Sequence, residues 1–413
     1  MEGVGAVPAG SRQNRGMALR IRAAHARPDL RPLPWDLPLE EWGEDICVEL
    51  PQGISRHVVR MVRLEDSTLA IKETRTEFAD REFEILRTLR RLDLPVVEAF
   101  AVVHGRGSKD DEPIEPALVT VHLRYSLPYR ALFSHGLPVE SLHKILDALA
   151  VLLVRLHLAG FFWGDVSLSN VLFRRSAGAF VAYLVDGETG EFHDQLSSGQ
   201  RSYDLEMARI NLYGEILDLQ AGDFLDSKID PEVLVDEVVD RYAELWEELT
   251  ATEVLRAEET WRIEQRIDRL NAMGFDVAEV EIVTDYDGAT VRMTPRVVEA
   301  GHHRRELQRL VGLEVEENQA RRLLTDLSSY ATHLGIEDRS EVAHHWLIEI
   351  FDKVWSMVPE DLRGEREPAE VFHEVLEHRW LLSERAGHEV DIFDTTEDYI
   401  KTILRPRHVG ALD

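Results

Sequence analysis

The chain has 413 residues, of which 44% are hydrophobic and 30% are charged, values typical of a water-soluble globular protein with two or three domains. Its formal net charge of −30 excludes nucleic acid as a general partner, because an acidic surface repels a phosphate backbone. Cys47 is the only cysteine, which excludes an intrachain disulfide and a cysteine metal cluster and favours a reducing compartment.

Neither a targeting segment nor a membrane span is expected. Residues 1–34 are rich in Gly, Ala, Pro and Arg and lack the apolar core of a secretory signal, so we expect a disordered leader. The most apolar run, Ile145–Trp163, contains Asp147, Arg155 and His157, and such a run predicts a buried helix. The expected localisation is cytoplasmic.

The first elements of the chain predict a small antiparallel sheet. Strand-like runs in residues 45–73 are separated by turn residues at Pro51–Gly53 and Glu65–Ser67. Residues 76–92 have apolar residues at helical spacing and predict a helix. Two more strands are expected within residues 96–105 and 116–125, with a polar loop over 104–116 between them.

The following elements are mostly helical. A long helix is expected from about Pro138 to Gly160, because glycine commonly ends a helix. Residues 170–186 predict two strands about a Ser-Ala-Gly turn, a hairpin that ends on Asp186. Another helix is expected to begin at Tyr203.

The composition changes at Asp230-Pro231, a typical start of a helix. A second helix is expected to end near Met273, and residues 278–293 predict a hairpin about the Asp287-Gly288 turn. The remainder of the chain, to about Leu404, is expected to be mostly helical.

The stretch WGDVSLSNVLF, residues 163–173, belongs to a set of residues that suits phosphoryl transfer from ATP. That reaction needs a lysine and its glutamate partner, an aspartate that orients the attacking hydroxyl, and an asparagine and a second aspartate that hold Mg²⁺. The chain supplies these residue types in that order: a strand-end lysine, a helix rich in glutamate, Asp165, Asn170 and Asp186.

On these motifs, residues 44 to about 220 resemble a protein-kinase-like fold. The segments that carry the resemblance are LAIK, REFEILRTL, GDVSLSN with its D-x-x-x-x-N spacing, and YLVDGE. The chain is most similar to the bacterial lipopolysaccharide-kinase-like group, which includes Kdo and heptose kinases, and in particular to an actinobacterial-type branch with an uncharacterised C-terminal domain.

The resemblance implies an α+β, bilobal kinase-like fold, with an antiparallel N-lobe and a helical C-lobe, followed by a mostly helical C-terminal domain with one β-hairpin. The expected boundaries are a leader at 1–34, an N-lobe at 35–124, a C-lobe at 125–229, a C-terminal domain at 230–404 and a tail at 405–413. The C-terminal domain is expected to recognise substrate, or to mediate a homodimer or a contact with a protein partner.

Carried over to this sequence, the resemblance makes Asp165 the catalytic base and Asn170 and Asp186 the magnesium ligands. Lys72 would contact the nucleotide phosphates. Glu82 would be its ion-pair partner, with Glu84 as the alternative.

The phosphate loop departs from the protein-kinase pattern. The segment QGISRHVV has only Gly53 where several glycines are usual, with Ser55 and Arg56 beside it, and Arg56 would compensate by contacting phosphate. Gly187 replaces the phenylalanine that follows the metal-binding aspartate. These departures argue against a protein kinase with a regulated activation loop.

The sequence therefore predicts an ATP- and Mg²⁺-dependent phosphotransferase, an atypical kinase that acts on a hydroxyl of a sugar or another small molecule. The alternative is a pseudokinase, a nucleotide-sensing or structural scaffold that acts through its C-terminal domain. The intact set of Lys72, Asp165, Asn170 and Asp186 favours the enzyme.

Overall fold

The structure is a computed structural model that describes residues 18–50, 57–110, 112–134, 139–251, 253–256, 265, 270, 279–284, 290–296, 301–336, 338–364 and 366–406. Gly53, Ser55 and Arg56, the predicted phosphate loop, lie outside the described residues. The predicted end of a helix near Met273 and the Asp287-Gly288 turn lie outside them as well.

Antiparallel sheets in the N-terminal region and helices in the C-terminal part confirm the predicted α+β class, and this arrangement is consistent with a kinase-like fold. The described residues form two compact units. The first takes in the described residues of 1–50, 55–87 and 98–122, and the second takes in those of 88–97 and 123–413.

The first unit contains a five-stranded antiparallel sheet in the order β1-β4-β7-β3-β2. Its strands are β1 (Arg20–Ala23), β2 (Val59–Leu64), β3 (Ser67–Glu73), β4 (Ala99–His104) and β7 (Ala117–Val121). Two short strands, β5 (Ser108–Lys109) and β6 (Glu112–Pro113), pair in the predicted polar loop. Helix α1 (Thr76–Arg91) follows β3.

Strand β1 lies within residues 1–34, the segment for which the sequence analysis predicts a disordered leader. Strand β1 pairs with β4 in antiparallel register, and Leu30 and Leu33 are buried in the core of the first unit. The sequence pattern did not reveal β1 because the strand has four residues, and only Ile21 among them is even partly buried.

The second unit begins with short strands and long helices. Its strands are β8 (Ser126–Pro128), β9 (Phe161–Phe162), β10 (Val171–Ser176), β11 (Ala179–Leu184) and β12 (Glu191–Phe192). Its helices are α2 (Tyr129–Ser134), α3 (Val139–Leu158), α4 (Ser198–Ala221) and α5 (Pro231–Thr250). Strands β11, β10 and β8 form an antiparallel sheet, and β12 pairs with β9.

Helix α4 begins five residues before the predicted start at Tyr203. The reason is a capping box: the Ser197 side chain accepts from the backbone N–H of Gln200, and the Gln200 side chain accepts from the backbone N–H of Ser197. A capping box satisfies N–H groups that a helix start otherwise leaves without partners. Helix α5 begins at Pro231 with Asp230 as its N-cap, as the sequence predicts.

Strands and α-helices continue through the described residues of the C-terminal part. The strands are β13 (Glu253–Arg256), β14 (Glu279–Thr284) and β15 (Thr290–Arg296). The helices are α6 (His302–Val311), α7 (Glu317–Leu334), α8 (Arg339–Trp346), α9 (Asp352–Met357), α10 (Pro368–Ala386) and α11 (Ile392–Tyr399).

The C-terminal helices surround an apolar core of their own. Trp346, Phe351 and Phe372 lie at its centre, with ring centroids between 5.2 and 5.6 Å apart. Among the described residues, the helices are too short or too polar to cross a bilayer.

Candidate active site

The hairpin of β10 and β11 carries two of the predicted site residues at its open end. Val171 pairs with Leu184, and the backbone N–H of Val185 donates to the carbonyl oxygen of Asn170 at 3.0 Å. Asn170 and Asp186 therefore leave the sheet side by side. The backbone N–H of Glu188 donates to Asp186 Oδ1 at 3.0 Å, which fixes the aspartate at the start of a turn.

The segment before Asp165 is held by a buried aspartate of α4. Asp204 accepts the backbone N–H of Trp163 at 2.9 Å with Oδ2 and that of Gly164 at 2.7 Å with Oδ1. Gly164 has φ +82°, a left-handed conformation that glycine adopts without steric cost. The side chain of Asp204 can be buried here because the two backbone N–H groups replace the hydrogen bonds that water would donate.

A chain of buried hydrogen bonds extends from Asp204 to α5. Asp204 Oδ2 lies 3.0 Å from His157 Nε2, and His157 Nδ1 lies 2.7 Å from the hydroxyl of Tyr242. Burial lowers the pKa of His157 and outweighs the opposing effect of Asp204. The neutral imidazole thus donates to Asp204 through Nε2 and accepts from Tyr242 through Nδ1.

The carboxylate of Asp165 accepts hydrogen bonds from two side-chain amides. Asn170 Nδ2 donates to Asp165 Oδ2 at 3.2 Å and to the Asp165 carbonyl oxygen at 3.0 Å. Asn211 Nδ2, on α4, donates to Asp165 Oδ1 at 3.1 Å and to the Val166 carbonyl oxygen at 3.0 Å. Each carboxylate oxygen of Asp165 therefore accepts one amide N–H, which fixes the plane of the group.

Glu215, also on α4, holds the next part of the loop. Its carboxylate accepts the backbone N–H groups of Leu168 and Ser169, each at 2.8 Å, and the Ser169 hydroxyl at 2.5 Å. Burial raises the pKa of Glu215, and these three hydrogen bonds oppose the rise. The loop from 163 to 170 is thereby tied to one helix along its length.

Asp204, Asn211 and Glu215 share one face of α4. Spacings of seven and eleven residues bring side chains back to within roughly 20° of the first on an α-helix. Asn211 and Glu215 were not identified from the sequence. Their spacing from Asp204 along the predicted helix was the one available indication.

In the first unit, Lys72 of β3 and Glu82 of α1 form an ion pair. Lys72 Nζ lies 2.7 Å from Glu82 Oε1, and the Glu82 side chain is fully buried. Glu84, the sequence alternative, is half exposed and instead lies 2.8 Å from the guanidinium of Arg22. A buried carboxylate needs a partner of opposite charge, so the structure pairs Lys72 with Glu82.

The donor set at the end of the hairpin fits a magnesium ion. The amide nitrogen of Asn170 donates to Asp165, so the amide oxygen is the atom that would coordinate a metal ion. The carboxylate of Asp186 is the second oxygen donor on the same hairpin end. Mg²⁺ takes hard oxygen ligands and is commonly bound by one or two protein groups together with substrate phosphates.

Comparisons with known proteins give one family match and many matches to solved structures. Residues 244–404 match a family described as "Domain of unknown function (DUF4032)". A solved structure titled "WaaP in complex with acyl carrier protein" is 16% identical, covers 56% of this chain and 90% of that chain, and has a TM-score of 0.32. A TM-score of this size does not establish a common fold. No curated protein matches the chain.

Proposed function

We propose that the protein is a phosphotransferase that moves the γ-phosphoryl group of ATP, with Mg²⁺, to a hydroxyl group of a sugar or another small molecule. The observation that carries the proposal is the carboxylate of Asp165, with an amide N–H from Asn170 or Asn211 on each oxygen. A carboxylate oxygen can accept more than one hydrogen bond. An acceptor hydroxyl is the donor that phosphoryl transfer requires there.

In the proposed step, the acceptor hydroxyl donates its hydrogen bond to Asp165 while its oxygen attacks the γ-phosphorus. The new O–P bond forms as the bond from the γ-phosphorus to the β–γ bridging oxygen breaks, and ADP leaves with that electron pair. The hydroxyl proton passes to Asp165 and then to solvent. Placement of such a base contributes about 10²- to 10⁴-fold to the rate.

The other residues of the set bind and orient. Asn170 and Asp186 would hold Mg²⁺, which neutralises charge on the phosphate oxygens. Lys72 would bind the nucleotide phosphates, with the buried Glu82 as the partner that orients its ammonium group.

The alternative is a pseudokinase that senses nucleotide or serves as a scaffold. The arrangement of the 163–170 loop supports the enzyme instead. Three polar side chains of α4 hold this loop, and one of them contacts the carboxylate of Asp165 itself. A scaffold would have no need to orient that carboxylate.

The nucleotide site is tested by the melting temperature with and without Mg²⁺-ATP. The proteins compared are the wild type, Asp186→Asn and the control Asp194→Asn, which alters an exposed aspartate. Ligand at about 100 times its dissociation constant adds roughly 2.7 kcal/mol to the free energy of unfolding, a rise of several degrees. We expect a magnesium-dependent rise in the wild type and the control that is lost in Asp186→Asn. The absence of a rise in the wild type, or an equal rise in all three proteins, would contradict the proposal.

A further inference from the structure

We infer that Asn211 is a positioning residue for phosphoryl transfer: its amide sets the orientation of the Asp165 carboxylate toward the acceptor hydroxyl. The inference rests on the proposed function. It adds a residue outside the D-x-x-x-x-N motif, 46 positions from Asp165 in the chain.

The contacts of Asn211 suit this task. One amide nitrogen donates to Asp165 Oδ1 at 3.1 Å and to the Val166 carbonyl oxygen at 3.0 Å. The amide thus ties the side chain of Asp165 to the backbone of the next residue. A rotation of the carboxylate that broke the first bond would leave an amide N–H without its acceptor, so the two bonds act together against rotation.

Asn170 and Asn211 have different tasks although both hold Asp165. Asn170 belongs to the loop itself and offers its amide oxygen to the metal, so its position depends on the loop. Asn211 lies on α4, close in the chain to the buried residues Ala208, Leu212 and Glu215 of the same helix. A side chain on a rigid helix holds a catalytic group more precisely than one on a loop. The neutral amide also orients Asp165 without adding a charge beside it.

The test uses the full chain, with Mg²⁺-ATP as the probe and water as the acceptor, and measures phosphate release and the dissociation constant of Mg²⁺-ATP. Asn211→Leu removes the amide at similar size, and Asn211→Asp keeps the shape but replaces the donor with an acceptor. The matched control is Gln220→Leu. Gln220 is on the same helix and donates two hydrogen bonds, to the carbonyls of Asp226 and Ile229, away from the loop.

We expect kcat to fall about 10- to 100-fold in both Asn211 variants, the scale on which small misplacement of a reacting group acts. The dissociation constant of Mg²⁺-ATP should stay within about twofold, and Gln220→Leu should keep the wild-type kcat. In an Asp165→Asn background, Asn211→Leu should cause no further loss, because a positioning residue acts through the group that it positions.

The possible failures are distinguishable. Wild-type kcat in a folded Asn211 variant would overturn the inference and leave the proposed function intact. A loss that is fully additive with Asp165→Asn would also overturn it, because additivity indicates a general effect on the fold. The absence of magnesium-dependent ATP turnover in the wild type would overturn the proposed function, and the inference with it.

Discussion

Asp204 shows how much the 163–170 loop depends on single side chains of α4. Its two oxygens accept two backbone N–H groups and contact the ring of His157 while the side chain is fully buried. Asp204→Asn would turn one oxygen into an N–H₂ group that faces another donor. A buried donor left without an acceptor costs about 1–3 kcal/mol.

We therefore expect Asp204→Asn to lower the free energy of unfolding by about 1–3 kcal/mol, measured by chemical denaturation. Asp218→Asn is the matched control, since Asp218 lies on the same helix and its side chain is 63% exposed. The control should change stability by less than about 0.5 kcal/mol. Equal losses in the two variants would contradict the role given to Asp204.

His157 should make stability depend on pH. Its pKa is lowered from the usual 6.5, because burial opposes the charged ring more than Asp204 favours it, and the nearby Arg201 opposes the charge as well. At a pH between the two pKa values, His157 therefore binds a proton in the unfolded chain and not in the folded chain. The stabilisation that the neutral ring provides is fully present above the pKa of His157 in the unfolded chain. It is lost as the pH falls below that pKa, towards the lower pKa of His157 in the folded chain.

Denaturation of the wild type and of His157→Gln across this range tests the prediction. The difference in unfolding free energy between the two proteins should shrink as the pH falls below 6.5, the usual value for histidine. A difference that does not change with pH would show that His157 is not held neutral. Tyr242 contacts the same ring and remains unchanged in both proteins.

Single residues also show what the sequence could predict. The motif spacing placed Asp165, Asn170 and Asp186 in adjacent parts of the chain, because a loop and a hairpin are local structures. Asn211 and Glu215 contact the loop from more than 40 positions away, and a contact at that separation depends on how α4 packs. A pattern of local residues contains no information on that packing.

At the scale of elements, α4 is the helix on which the loop depends, and its N-terminus is fixed by the capping box of Ser197 and Gln200. Ser197→Ala removes the side-chain acceptor for the first-turn N–H groups. Loss of a serine N-cap costs about 0.5–2 kcal/mol, so we expect a drop in the unfolding free energy of about 1 kcal/mol.

Ser202→Ala provides the control for the cap, because Ser202 is exposed inside the same helix and alanine has the higher helix propensity. The control should be neutral or slightly more stable in the same denaturation experiment. A comparable loss in Ser197→Ala and Ser202→Ala would argue against the cap as the cause.

Elements differ in how well the sequence predicts them. Helix α5 followed directly from Asp230, Pro231 and a stripe of buried apolar residues, and the structure has the same N-cap. The hairpin of β10 and β11 followed from two strand-like runs about a Ser-Ala-Gly turn. Strand β1 did not, because a four-residue edge strand with mostly exposed side chains owes its position to pairing with β4.

At the scale of the whole molecule, the C-terminal helices are joined to the hairpin that carries the candidate site. Arg174 of β10 forms ion pairs with Glu316 and Glu367, the N-cap residues of α7 and α10. Burial opposes the charge on Arg174, but the two glutamates outweigh it and raise its pKa. Breaking a buried pair of this kind on one side is strongly destabilising.

A chain that ends at Asp230 should fail to fold stably. It would lose α5, which packs on α3 and α4 and buries Leu234, Val238, Leu245 and Leu249. Full burial of one such side chain is worth about 1.5–3 kcal/mol, so the loss is roughly 6–12 kcal/mol, comparable to the whole stability of a domain. A soluble truncated chain with the melting temperature of the full protein would contradict this prediction.

The central claim is that Asp165 acts on a hydroxyl once Mg²⁺-ATP is bound, and the most direct test compares wild type with Asp165→Asn. ADP release from Mg²⁺-ATP and the dissociation constant of the nucleotide are measured on the same two samples. We predict magnesium-dependent turnover in the wild type that falls about 10²- to 10⁴-fold in the variant, with an unchanged dissociation constant. Equal turnover in the two proteins, or none in the wild type, would contradict the claim.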